Sequence, residues 1–200
     1  ILCNNTDGEN ITGSHACNMK CNKLTHPDVH FAFPVAITSK VKKHPVSDFF
    51  LNEWRDFITN NPYGNLLDWY SQLGIENKQG QIGVDEAESI VKKLSLKAYE
   101  GNFKVLIIWM AEKMNISASN KLLKLIEEPP DKTILLLITE DEDQIINTIL
   151  SRCQVVKLSP LSENHIKDAL VEREHISENE AVKIAHQADG NWNKAIHILN

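Results

Sequence analysis

The feature that most constrains the fold is a pair of apolar runs, FKVLIIWM at 103–110 and KTILLLIT at 132–139, separated by one amphipathic stretch. Each run is too short for a buried helix and is bounded by polar residues. An unbroken apolar strand of this kind belongs in a parallel sheet covered on both faces. The stretch between them, ASNKLLKLIEEPP at 118–130, has apolar residues at helical spacing and stops on Glu127, Glu128, Pro129 and Pro130. Strand, helix, strand predicts a right-handed crossover and an α/β fold with a parallel sheet flanked by helices.

The flanking sequence extends this pattern. HFAFPVA at 30–36 reads as a strand closed by Pro34, and residues 37–47, with Lys40, Lys42 and Lys43, as an exposed connection. SDFFLNEWRDFITNN predicts a helix capped by Ser47 and stopped at Asn60-Asn61-Pro62, and NLLDWYSQLG a second one ending at Gly74. Residues 84–99 form a third, acidic at its start and basic later, as the helix dipole prefers. DEDQIINTILSRC reads as a short helix running into a turn, and QVVKLSPL at 154–161 as one more strand. Beyond Pro160 the periodicity is wholly helical, over 162–174, 177–188 and 191–199. The change of class puts a boundary near residue 159, between an α/β domain (1–159) and a three-helix lid domain (160–200).

Residues 1–28 are polar and aperiodic, mostly loop, with ILC at 1–3 the tail of a helix. Cys3, Cys17 and Cys21 crowd this segment, an uneven spread that suits a metal knuckle or its remnant better than a disulfide scaffold. A formal net charge of -6 argues against a protein that coats nucleic acid through a broad basic surface, although local contact stays open. No apolar run approaches the roughly 20 residues of a membrane span, and no secretory leader is present, so the expected setting is the cytoplasm.

The run Ala118-x-Asn120-x-Leu-Leu-Lys-x-x-Glu127-Glu128-Pro-Pro, the apolar strand after it and NTILSRCQVVKLSPL together resemble the clamp-loader branch of the AAA+ proteins, and within it the delta-prime subunits of bacterial DNA polymerase III. HPDVHFAFP and KVLIIWMAEKMN extend the likeness to about Cys17–Asn200. The resemblance implies a small helical lid after the sheet. It also places Asn120, Glu127 and Glu128 at a subunit interface. Acids at a helix C-terminus oppose its dipole. They read either as a solvated helix end stopped by prolines or, on the resemblance, as partners for a neighbour's basic residues.

An ATPase of this class needs a Gly-x-x-x-x-Gly-Lys-Ser/Thr phosphate loop and acids after its third strand. No glycine spacing here supplies the loop, and Trp109 and Met110 stand where the acids would. Glu112, two residues on, reads as a surface acid. Thr139 falls at the sensor position and reads either as a phosphate contact or as the strand's end. GNWNKA at 190–195 resembles the second sensor motif, with Asn193 where a nucleotide-binding relative has Arg. The expectation is a chain that binds no ATP and is not an enzyme on its own.

Retained is Arg152, between Ser151 and Cys153. Outside the motif it would read as a solvated charge. Within it, the resemblance implies an arginine finger, supplied in trans to ATP and Mg on an adjacent gamma or tau subunit. Ser151 and Cys153 would position the turn. Such fingers contribute on the order of 10³ to 10⁵ in rate. The family also carries four closely spaced cysteines in a zinc module. Here Cys3, Cys17 and Cys21 make three, with His26 a conceivable fourth ligand, although His26-Pro27-Asp28 also reads as the lead-in to a strand.

The resemblance implies a sheet order of fifth, first, fourth, third, second, and the expectation is that the chain starts after the first strand, phosphate loop and first helix. An open slot is expected between TILLLIT and QVVKLSPL, and the family's C-terminal collar would lie beyond Asn200. The expected function is that of a clamp-loader subunit working with gamma/tau and delta subunits to load the sliding clamp onto primed DNA during replication. The alternatives are the ATP-hydrolysing gamma/tau subunit and an AAA+-like interaction protein outside replication.

Overall fold

The computed structural model describes residues 15–200, with the side chain of His15 left out. In chain order the elements are α1 (His15–Asn22), β1 (Val29–Ala32), α2 (Leu51–Asn60), α3 (Leu66–Leu73), α4 (Val84–Ser95), β2 (Lys104–Trp109), α5 (Ile116–Glu127), β3 (Thr133–Ile138), α6 (Asn147–Leu150), α7 (Glu163–Glu174), α8 (Glu178–Ala188) and α9 (Trp192–Leu199). Among the described residues the sheet has three parallel strands in the order β1-β2-β3.

The alternation of β2 divides the core. Leu106 and Ile108 are buried against Ala87, Ile90 and Leu94 of α4, Ala118 and Leu122 of α5, and Ile149 of α6. Ile107 and Trp109 face the other way, into an aromatic layer of Phe31, Phe33, Trp54, Phe57 and Trp69 carried largely by β1, α2 and α3. Phe33 stacks on Trp54 with centroids 4.3 Å apart. β2 is thus packed on both faces, as its composition predicts. β3 is not: Leu135 and Leu137 pack on the α4–α5 side, whereas Ile134, Leu136 and Ile138 are 37%, 47% and 48% exposed. The aromatic layer ends at β2, and among the described residues no strand pairs with the outer edge of β3.

Three local expectations need correction. QVVKLSPL forms no strand; residues 154–161 are irregular, with Val156 and Leu158 73% and 90% exposed. Apolar residues make a strand only where a neighbouring ladder takes up their amides and carbonyls, and no strand of the described residues lies beside this segment. Of residues 15–28, His15–Asn22 is helical and the rest is irregular. Ser47 opens a 3-10 turn instead of capping α2: its buried hydroxyl accepts from the Phe33 N–H (2.9 Å) and donates to the Phe33 carbonyl (3.2 Å). The helix expected over 84–99 ends at Ser95, where the buried ammonium of Lys104 donates to the Leu94 and Leu96 carbonyls, stopping the helix with a cation at its negative end. α3 ends as expected, with Gly74 left-handed at φ +65.

The last three helices bury Ile166, Leu170, Ala181, Ile184, Ala185, Ala188 and Ala195 in a core of their own. No helix of the described residues is long and apolar enough to cross a membrane.

Candidate site at the Ser-Arg-Cys turn

Helix α5 presents Glu127 where the sequence stops it. Ala118 and Leu122 seat one face in the core, and Asn120, Lys124 and Glu127 fall on the exposed face at i, i+4 and i+7. Glu128 follows as the cap, its N–H donating to the Lys124 carbonyl. Pro129 and Pro130 cannot extend the ladder. Helix α6 is a single turn pinned by Ile149, which is 1% exposed. The N–H groups of Ser151, Arg152 and Cys153 return to the carbonyls of Asn147, Ile149 and Leu150 at 2.9, 3.0 and 3.1 Å. Cys153 is half-buried against the core, and burial pushes its thiol up. Arg152 is thereby placed on a turn held from both sides.

The Arg152 side chain is exposed and partly committed. Its Nη1 donates to the Thr148 carbonyl at 2.8 Å and to Ser151 Oγ at 3.4 Å, and its Nε lies 3.4 Å from Glu127 Oε2. Of five N–H donors, those on Nη2 meet no partner among the described residues. Ser151, Arg152, Cys153 and Glu127 are therefore brought together. Asn120 lies two turns back along α5. Thr148 is a member that the sequence did not reveal, because its contribution is a backbone carbonyl.

Trp109 and Met110, where the resemblance would put metal-holding acids, are packed against protein. Trp109 packs 5.2 Å from Trp54, and Met110 is 3% exposed with left-handed φ 56. Glu112 is not the surface acid expected: it is half-buried in a 3-10 turn, and its Oε2 is shielded without a hydrogen-bond partner. The Thr139 hydroxyl donates to the Asp141 carbonyl and accepts the Asp141 N–H, closing the turn after β3.

Asn193, at the second-sensor position, is held by protein. Its Nδ2 donates to Asp68 Oδ2 at 2.9 Å, and its Oδ1 accepts from Asn65 Nδ2 at 3.0 Å. Asp68 also accepts the Asn65 N–H at 2.9 Å and lies 3.2 Å from Nε2 of His197. Burial would push this carboxyl up, but the hydrogen bonds from Asn65 and Asn193 and the charge of His197 outweigh it and hold it below the usual range. Asn65-x-x-Asp68 is a capping box legible in sequence; its second use, as a clasp on α9, is not. Beside this clasp lies a 440 Å³ cleft lined by Tyr63, Trp192, Glu140 and Asp189 among others, with no Lys or Arg in its lining.

The candidate metal residues are partly brought together. Cys17 and Cys21 share a face of α1, and their ligand atoms lie within 4.8 Å of one another and of His26. His26 is buried, and its Nδ1 accepts the Asp28 N–H at 3.2 Å. Cys17 is disulfide-bonded in this structure, so the trio fits a metal only when reduced. Cys3 and the helix tail at ILC lie outside the described residues.

The chain is similar to several known proteins. The DNA polymerase III subunit delta' of Bacillus subtilis is 36% identical over 101 residues, 50% of this chain and 29% of its own length. That of Yersinia pestis is 39% identical over 90 residues, 45% and 26% of the two chains. The tau subunit of B. subtilis is 34% identical over 125 residues, 59% of this chain and 22% of tau. The matched stretches thus span under a third of these relatives. Among solved structures, a gamma subunit-related protein of Thermotoga maritima has a TM-score of 0.41 at 29% identity, covering 55% of this chain and 41% of that one. The family model described as DNA polymerase III, delta subunit, matches residues 1–162, and the chain belongs to that family.

Proposed function

We propose that this chain is a delta-prime-like, non-ATPase subunit of the replicative clamp loader. It supplies Arg152 in trans to ATP and Mg bound by an adjacent gamma or tau subunit, and so helps load the sliding clamp onto primed DNA. The observation that carries the reading is the Arg152 turn, exposed but anchored by Ile149 and Cys153, with the Nη2 donors uncommitted. A planar cation on a fixed turn stabilises charge developing on a transferring phosphoryl group.

The chain's own cleft argues against nucleotide. A polyphosphate there would meet Glu140 and Asp189, with Arg173 committed to Tyr63 and the Trp192 ring, and the Asn193 side chain is engaged by Asp68 and Asn65. The likeness to tau keeps the ATPase alternative in view; Trp109 and Met110, packed into the core where metal-holding acids would stand, weigh against it. In this reading the boundary near residue 159 separates sheet from lid, partners include the delta subunit, and the setting is the cytoplasm.

The test is reconstitution of the loader with the full-length protein carrying Arg152→Ala. Clamp- and DNA-stimulated ATP turnover at the neighbouring site should fall on the order of 10³-fold with assembly intact. An unchanged rate refutes the reading.

We also propose a structural zinc held by reduced Cys17, Cys21 and His26, with Cys3 as the fourth ligand. Zinc would tie α1 to the segment leading into β1, with no part in catalysis. Protein purified under reducing conditions without chelator should carry about one zinc per chain, lost in Cys21→Ser. Metal-free protein with unchanged folding would count against it.

A further inference from the structure

We propose that Glu127 is a positioning residue for Arg152, an internal carboxylate that orients the guanidinium before the neighbouring subunit docks. The inference rests on the finger reading above and gives Glu127 a role inside this chain, distinct from pairing with a neighbour's base.

A carboxylate on the last residue of α5 stands at the helix's negative end, an unfavourable place unless a cation lies close. Arg152 is that cation, with Nε 3.4 Å from Glu127 Oε2. The contact completes a triangulation from two separate helices. The Thr148 carbonyl and Ser151 Oγ hold Nη1 from α6 and its cap, and Glu127 approaches Nε from α5. Both helices are fixed in the same core, through Leu122 and Ile149, each 1% exposed. Pro129 and Pro130 fix where α5 stops, and hence where the carboxylate stands. The guanidinium is left with its Nη2 edge available.

An arginine side chain free to sample its rotamers loses that freedom when it docks. One held in place beforehand loses less. The Glu127 side chain is 57% exposed, so the pair is weak and screened. Weakness suits the role, because a strong buried pair would keep the guanidinium from a phosphate. Glu127 therefore orients Arg152 without competing for it, and the effect appears in turnover, not in nucleotide affinity.

The test is a double-mutant cycle in the reconstituted loader, comparing wild type, Glu127→Gln, Arg152→Ala and the pair, with Glu127→Asp as the conservative variant. Glu127→Gln should lower kcat about two- to fivefold, the range an exposed ion pair supports. KM for ATP and assembly should stay unchanged, Glu127→Asp should recover part of the loss, and the effect should vanish in the Arg152→Ala background. A Glu127→Gln loss that persists at full size in that background, or that appears as failed assembly, overturns the inference and leaves the finger reading standing. If Arg152→Ala itself has no effect, the finger reading falls and this inference falls with it.

Discussion

Replacing Asp68 by Ala should release the clasp between α3 and the C-terminal helices. The carboxylate is 18% exposed, and it accepts the Asn65 N–H and Asn193 Nδ2, both at 2.9 Å, beside the His197 imidazole at 3.2 Å. Losing it orphans two partly buried donors, at about 1 kcal/mol each or somewhat more because the acceptor is charged. The His197 pair adds at most about 1 kcal/mol, since that imidazole is 57% exposed. The sum, about 2–4 kcal/mol, corresponds to a Tm lowered by roughly 5–12 °C in a chain of this size. Calorimetry measures the shift, and hydrogen exchange should show Trp192–Leu199 losing protection first. The carboxyl's pKa is depressed in the fold. Its contribution is therefore present above the ordinary aspartate value of about 3.9 and lost as pH falls through the depressed one, so wild type and variant should converge in acid. A Tm within about 1 °C of wild type, or a His197→Ala loss equal to that of Asp68→Ala, would refute the assignment of Asp68 as hub.

Three further outcomes follow from the packing. Leu122→Ala opens a cavity between α5 and the sheet and should cost about 2–5 kcal/mol in urea titration. Gly190 has φ +78, and a Cβ there would stand 2.5 Å from Pro160 Cβ and 2.9 Å from the Leu161 carbonyl, so Gly190→Ala should lower Tm by several degrees, on the order of 1–3 kcal/mol of strain. Burial raises the pKa of Glu86 above the ordinary glutamate value even though its Oε2 accepts the Ser47 N–H. The stabilisation from its protonated form is complete below about 4.3 and lost as pH rises through the raised value, so Glu86→Gln should flatten the stability profile over that window.

Much of the fold was legible because its strongest elements obey a single period. The run at 104–109 is packed on both faces, and helices 116–127, 163–174, 178–188 and 192–199 fall where apolar spacing puts them. The failures share a cause. QVVKLSPL carries the composition of a strand, but a strand exists only through its neighbour, and no sequence window contains that neighbour. Ser47 has the chemistry of a cap, yet its hydroxyl is used by Phe33, 14 residues away. The Ser151-Arg152-Cys153 turn could be found from its motif. Its supports could not: the Thr148 carbonyl leaves no side-chain signal, and Glu127 meets Arg152 only because α5 and α6 share a core. Asp68 closes a local capping box with Asn65, whereas its bonds to Asn193 and His197 span more than a hundred residues, beyond any sequence window.

The most direct measurement is the structure of the full-length protein in the assembled loader with a transition-state analogue of ATP hydrolysis bound. The account predicts the Arg152 guanidinium within about 3 Å of the analogue's phosphoryl oxygens on the adjoining subunit, and no nucleotide between Tyr63 and Trp192 of this chain. Nucleotide and magnesium seated in that cleft, or Arg152 turned away from every bound nucleotide, would contradict it.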